Sequence, residues 1–344
     1  MNIVEKKDIE EFAQTFSLSN ELQGSTFLIT GSTGLIGSSL IHCLVALNKE
    51  IRIIALVRDA NKAMGIFDEL EKKYITVIEC DLLKYDYNQL DNVDYIIHCA
   101  APTSSKFFVE RPVDTAEIII DGTIVLLNYA RSHAVKGFVY LSSLEVYGTI
   151  LDDTEFVSEE VQGYMDTMSV RSSYPMAKRA TENLCCLYTE QYGIPAKVAR
   201  LTQTTGAGLA QNDNRVIAQF ARMAALGQDI VLHTTGEAAR PYCYTTDAVS
   251  AILYILLKGQ AGEAYNVANE ETYISAKAMA EFLRDNFNPS INVRVELKDN
   301  MGYAPVTKLK LSSYKLKQLG WKPKMGLKNI FENLITFIKS ESQA

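Results

Sequence analysis

The stretch from Phe27 to Leu40, FLITGSTGLIGSSL, narrows what this chain can fold into more than any other. Three apolar β-formers, Phe27, Leu28 and Ile29, run into a turn with glycines at positions 31, 34 and 37, and an apolar, helix-like segment follows. A chain written this way leaves a strand, turns sharply and presents the bare start of a helix. Unpaired N–H groups and the positive end of the helix dipole make that start a seat for an anionic pyrophosphate. Gly31, Gly34 and Gly37 let the backbone turn and approach the phosphates without a Cβ in the way. A tight strand-to-helix turn also uses glycine for packing alone, but its place after a first strand favours dinucleotide binding. Thr33, Leu35 and Ile36 fill the turn and complete the expected cofactor contacts. The spacing is G-x-x-G-x-x-G, not the commoner G-x-G-x-x-G.

From Thr26 the sequence alternates between two patterns. Strand-like runs are Phe27–Thr30, Arg52–Val57, Thr76–Glu79, Tyr95–Cys99, Gly137–Leu141 and Ala196–Leu201, with helical stretches at Ser38–Leu47, Asp114–Ser132 and Tyr174–Tyr192. This rhythm predicts an α/β fold with a doubly wound, mostly parallel sheet, whose ligands bind outside the carboxyl ends of the strands. Beyond about residue 203 the rhythm loosens, and segments 203–247 and 262–330 read as a smaller lobe closing over that edge. Within residues 1–23, Ile9, Phe12, Ala13 and Phe16 recur at helical spacing. They predict an amphipathic helix packed on the first strand's side, or else a partner-binding arm. Leu327–Ile338 reads as a packing helix.

A length of 344 residues suits one large α/β domain or two lobes. The net charge of −7 argues against a nucleic-acid or anionic-membrane partner, which would want a basic face. The 6 cysteines and 4 histidines show no metal-ligand spacing, so no metal site is expected, and the thiols read as buried small hydrophobes of a reducing compartment. Met1–Glu11 has no apolar signal-peptide core, and Ile118–Leu127 and Ala251–Leu257 are too short to span a bilayer. The expectation is a cytoplasmic protein.

Several strand ends carry polar chemistry. After the second strand come Arg58 and Asp59. An acid there bonds the adenosine ribose, whereas an arginine accommodates a 2′-phosphate, and Arg58 tilts the expectation from NAD toward NADP. The alternative is a solvated pair of charges. Asp81, with Leu82, closes the third strand and is either an acceptor for the adenine amino group or a turn cap. His98-Cys99-Ala100-Ala101 closes the fourth with small residues that allow close approach by a ligand; His98 alone reads as a core histidine.

Ser142-Ser143-Leu144-Glu145-Val146-Tyr147-Gly148 follows the fifth strand, and Tyr174-Pro175-Met176-Ala177-Lys178 opens a helix. Tyr174 and Lys178 share a helix face. A neighbouring ammonium, aided by an oxidised nicotinamide, is expected to lower the phenol's pKa from about 10. Ser143 then holds the substrate oxygen while Tyr174 takes or returns its proton. In the second lobe Arg240 reads either as a clamp for a diphosphate or as a surface arginine near a cap supplied by Asp247.

Taken together, these motifs resemble the extended short-chain dehydrogenase/reductase family, in its NAD(P)-dependent nucleotide-sugar epimerase/dehydratase branch. The resemblance runs from about Gly24 to Ile338, and includes Arg200, Arg240–Asp247, Gly262–Val267 and Leu319–Pro323. Behind the N-terminal helical extension read from periodicity (1–23), it implies a Rossmann-type NAD(P)-binding domain (24–202) and a mainly substrate-binding C-terminal α/β lobe (203–344) whose chain crosses back to the sheet. It also implies a nucleoside-diphosphate sugar substrate, transient oxidation of a sugar hydroxyl by Ser143, Tyr174 and Lys178, and a homodimer built on the helices at 114–132 and 174–192. Arg240 is expected at the diphosphate and Gln203 at the substrate.

Three positions depart from the family pattern. Ile119 stands where Asn is common, Gln203 where the R-x-x-N-x-x-G turn has Asn, and Pro241 where Asp often follows the arginine. Leu144 replaces the carboxylic acid of 4,6-dehydratases, whereas Glu145 remains as a base or as a carboxylate bonded near Tyr147. The expected activity is therefore a nucleotide-sugar epimerase. The alternatives are a dehydratase or decarboxylase, and an NADPH-dependent keto-sugar reductase.

Overall fold

A computed structural model describes residues 1–150, 156–298 and 307–342. Its strands are β1 (Thr26–Thr30), β2 (Arg52–Val57), β3 (Ile75–Glu79), β4 (Tyr95–His98), β5 (Gly137–Ser143) and β6 (Ala196–Leu201). They continue as β7 (Gln203–Thr205), β8 (Ile230–Leu232), β9 (Ala239–Tyr244), β10 (Ala264–Val267), β11 (Asn269–Ser275) and β12 (Val293–Val295). The first six helices are α1 (Ile3–Thr15), α2 (Leu35–Ala46), α3 (Ala60–Ile66), α4 (Ser105–Glu110), α5 (Pro112–Ser132) and α6 (Ser173–Tyr192). The later ones are α7 (Val216–Leu226), α8 (Thr245–Lys258), α9 (Ala276–Phe287), α10 (Tyr314–Gln318) and α11 (Leu327–Glu341).

The central sheet has 7 strands in the order β10-β6-β5-β4-β1-β2-β3, every neighbouring pair parallel. Its middle strands read as near-continuous apolar runs because helices cover both faces, burying Leu28, Ile29, Ile96, Ile97, Phe138 and Val139. Strand order reverses between β1 and β4, which opens a crevice at their carboxyl ends. The helix-rich second part holds the small sheets β11-β9-β7 and β12-β8, with its own core around Ile217, Phe220, Leu283, Phe331 and Leu334. The chain does not stay there. β10 extends the central sheet, and α8 buries Val249, Ile252 and Leu253 in the core beneath it.

Helix α1 packs instead of projecting as an arm. Phe12 and Phe16 stack 5.1 Å apart within the main core, while Val4 enters the core of the second part. One thiol expectation needs correction: Cys43, Cys185 and Cys243 are buried, but Cys186 lies exposed on the outer side of α6. Among the described residues no helix is long and apolar enough to cross a membrane.

Candidate active site

The glycines of the first turn are required for different reasons. Gly31 has φ +67°, and a Cβ on it would sit 2.8 Å from the backbone of Cys99 and Ala100. A Cβ on Gly37 would sit 2.3 Å from the Gly31 carbonyl oxygen. These two fold the turn onto itself and onto the end of β4. Gly34 is exposed and starts α2 without a capping side chain, so the first amides there, including Leu35, Ile36 and Gly37, are left for an anion. Thr33 lies half-buried beside them. Thr30 ties the crevice walls together, its Oγ1 accepting from the Ala100 amide (3.2 Å) and bonding His98 Nδ1 (2.7 Å). Ala100 and Ala101 are thereby held next to the glycine turn. His98 is buried and pulled down to about 3 by burial and by Lys178, so its ring is neutral.

At the end of β2, Arg58 is exposed and Asp59 caps α3, accepting from the Lys62 amide at 2.9 Å. Asp81 caps its own turn, accepting from the Leu83 amide at 3.0 Å. Leu82 packs on α5, where a Cβ on Gly122 would meet it at 2.9 Å. Ile119 is fully buried in the same core, so an apolar residue suits that position.

Ser143 ends β5, and its Oγ accepts from the Glu145 amide at 3.2 Å. The first turn of α6 brings Tyr174 to the same edge, its ring stacked on Phe108 of α4 at 4.3 Å and 10°. Lys178 lies one turn on. Its Nζ donates to the Leu141 carbonyl at 2.6 Å and sits 4.6 Å from the centre of the Tyr140 ring and 5.7 Å from that of Tyr174.

Burial raises the Tyr174 phenol, the Glu145 charge raises it further, and a Ser143 hydrogen bond and Arg171 oppose them. Lys178 Nζ, on the same helix face, donates to the Leu141 carbonyl. Burial draws Lys178 itself down to about 7, with Glu182 pulling back only through space. Glu145 is engaged by Arg171 (3.0 Å), whose guanidinium lies 5.3 Å from the centre of the Phe108 ring. Leu144 packs among Val146, Val157, Leu309 and Leu311, in an apolar cluster where a carboxyl would be out of place.

On the substrate side, Gln203 has a buried Oε1 with no hydrogen-bond partner among the described residues. It stands opposite Tyr242 of β9, two residues beyond Arg240, which is half-buried with Nη2 3.5 Å from Thr307 Oγ1. Asp247 does not cap α8; it accepts from the Lys324 and Met325 amides. Two participants escape sequence reasoning: Phe108 carries no motif, and Arg179 hides beside Lys178. Arg179 donates to the Val146 and Gly163 carbonyls (2.5 and 2.8 Å), pinning the loop before α6 to the turn after β5.

This arrangement, a parallel sheet with an anion-ready helix start and a Ser/Tyr/Lys cluster at the carboxyl ends of its strands, defines a Rossmann-like α/β fold. Residues 27–268 match the model of the NAD dependent epimerase/dehydratase family. The chain is 30% identical over 303 residues to UDP-glucuronic acid decarboxylase 5 of Arabidopsis thaliana, which spans 88% of this chain and 85% of that protein. Its fold is similar to UDP-glucuronic acid 4-epimerase from Bacillus cereus in complex with UDP-glucuronic acid and NAD (21% identity, TM-score 0.78, 92% of this chain and 99% of that one). It is also similar to RMD from Pseudomonas aeruginosa complexed with NADPH (23%, TM-score 0.70, again 92% and 99%). The chain belongs to the NAD-dependent epimerase/dehydratase family, and is an enzyme of the nucleotide-sugar epimerase/dehydratase type.

Proposed function

We propose that the chain is a nucleotide-sugar epimerase working through transient oxidation of a sugar hydroxyl to a ketone. The observation that carries this reading is that the uncapped start of α2 after β1, and Ser143, Tyr174 and Lys178 around the end of β5, lie at the same carboxyl edge of the parallel sheet. The glycine cradle fits NAD(P): the amides at 35–37 would hold its pyrophosphate, and Ala100, Ala101 and Leu82 would flank it. When bound, the nicotinamide coenzyme supplies the acceptor and donor of hydride. Ser143 holds the substrate oxygen, and Tyr174 removes the hydroxyl proton and returns it. Glu145 is placed to exchange an acidic proton beside the ketone. Arg240 receives the diphosphate, and the unpartnered Gln203 oxygen accepts from a substrate N–H or O–H.

Arg58 favours NADP, because Asp59 is committed to the α3 cap and Arg58 is exposed at the ribose end. Arg58→Ala should weaken NADP and leave NAD nearly unchanged; equal loss for both would overturn that preference. A homodimer through α5 and α6 fits the exposed Val113 and Leu187 on those helices, and the molar mass in solution tests it.

A second reading, decarboxylation, is favoured by Glu145 persisting while Leu144 removes the dehydratase acid, and by the sequence relatives. Product analysis of the coenzyme-loaded enzyme with UDP-sugars separates the readings. Epimerisation returns an isomer with no net coenzyme change, and released carbon dioxide selects the second reading. Stoichiometric NADPH consumption with a keto-sugar would replace both by a reductase.

A further inference from the structure

The 3-10 turn Val170–Ser172, just before α6, carries a side chain with no part in the chemistry above. Arg171 Nη2 lies 3.0 Å from Glu145 Oε2, and its guanidinium lies 5.3 Å from the centre of the Phe108 ring, which stacks on Tyr174. We propose that Arg171 is a positioning residue, a cationic clamp that holds Glu145 and Phe108 together and so sets both the ring plane and the charge environment of Tyr174. This rests on the proposed use of Tyr174 as acid and base.

The clamp has a fixed base. Thr149 and Tyr164 exchange backbone hydrogen bonds of 2.8 and 2.9 Å, fastening the start of the preceding loop to the turn after β5. The contact is so close that a Cβ on Gly148 or Gly163 would lie 2.4 or 2.2 Å from a carbonyl oxygen of the facing strand. Ser173 Oγ donates to the Phe108 carbonyl at 3.1 Å, holding α4 to the start of α6. Arg171 therefore reaches Glu145 and Phe108 from a seat fixed on both sides.

Exposure says what the pair is for. The Arg171 and Glu145 side chains are 37% and 34% exposed, and an ion pair that wet adds little to stability. Its effect falls on placement and local charge. The groups facing Tyr174 are Lys178 from its own helix, Tyr140 from β5, Glu145 from the turn after β5, and Arg171. Glu145 raises the phenol and Arg171 lowers it, Glu145 with the larger effect, so the two members of the pair act on Tyr174 in opposite directions.

The test is the pH profile of coenzyme reduction in the first turnover, for Arg171→Ala, Arg171→Lys, Glu145→Gln and the Arg171→Ala/Glu145→Gln double variant. Arg171→Ala should move the acid limb up by about one pH unit and Glu145→Gln should move it down, as expected when a nearby charge of either sign is removed. The double variant should fall back near the wild-type limb. Arg171→Lys should restore the limb while leaving part of the rate loss, because lysine does not reproduce the flat contact with Phe108. A limb unmoved in Arg171→Ala, or moved the same way in both single variants, would overturn the proposal whatever the rate does. Failure of the underlying reading looks different: Tyr174→Phe would then retain coenzyme reduction.

Discussion

Two buried tyrosines, Tyr147 and Tyr174, lie in one chain with similar company and opposite consequences. Each has arginine and glutamate nearby. Around Tyr147 every valence is used: its hydroxyl donates to Asn266 Oδ1 (2.6 Å) and accepts from Arg200 Nη1 (3.0 Å). Arg200 is in turn gripped by both oxygens of Glu182 and by the Glu159 carbonyl. Burial pushes the Tyr147 phenol up to about 12 against the pull of Arg200. Around Tyr174 the charges look elsewhere, Lys178 to the Leu141 carbonyl and Arg171 to Glu145. That leaves the phenol beside Ser143 at a crevice mouth. A closed network builds structure, whereas an open one leaves an oxygen for a substrate.

The sharpest way to break this contrast is to remove one hydroxyl at a time. Tyr174→Phe should lose about 10²–10⁴-fold in turnover, the range for a positioned acid/base, with the thermal midpoint nearly unchanged. Tyr147→Phe should do the reverse, keeping turnover within an order of magnitude while losing stability. Steady-state rates and melting curves on the two proteins decide it. If Tyr147→Phe is the one that abolishes turnover, the assignment of structural and chemical tyrosines is inverted.

Next in size comes Arg200→Met. Removing a buried guanidinium strands Glu182, and breaking such a pair from one side costs about 3–5 kcal/mol. Glu182→Gln paired with Arg200→Met should recover part of that loss, because no charge is then left buried alone. Denaturant titration measures both. A loss under about 1 kcal/mol for Arg200→Met would mean that the network is as dispensable as a surface pair.

The contrast also explains what the sequence discloses. The glycine turn, the strand rhythm and the Tyr174/Lys178 spacing are local patterns, and the parallel sheet, the crevice and the cluster at its mouth follow from them. Which tyrosine is open and which is closed is not local. Tyr147 meets Asn266 across 119 positions of sequence, and no periodicity signals that bond. The same holds for Phe108 beneath Tyr174, which arrives from a short helix of its own. Asp81 is legible as a cap or as a ligand and Asp59 as a ligand or a solvated charge, and only the bonds to the Lys62 and Leu83 amides show capping in use. Spacing places Lys178 on the right helix face but does not say that its ammonium also reaches the Leu141 carbonyl.

A third phenol sharpens the comparison with the smallest effect. Tyr244 donates to Asp8 Oδ2 at 2.5 Å, and Asn333, not a cation, completes the group at 3.1 Å from the Tyr244 hydroxyl. With a neutral amide in place of arginine, burial dominates and raises Asp8 to about 6, the Tyr244 bond and Lys7 pulling back and Glu11 and Glu5 adding to the rise. The folded state then binds the proton more tightly than the unfolded chain, whose carboxyl keeps an ordinary value near 3.8. Stability from this site is therefore fully present below pH 3.8 and declines as pH rises through about 6, by at most about 3 kcal/mol. Asp8→Asn cannot titrate. The stability difference between variant and wild type should tilt toward the variant as pH rises from 4 to 7, and level off above. A difference that stays flat across that range would mean that Asp8 keeps its charge when buried.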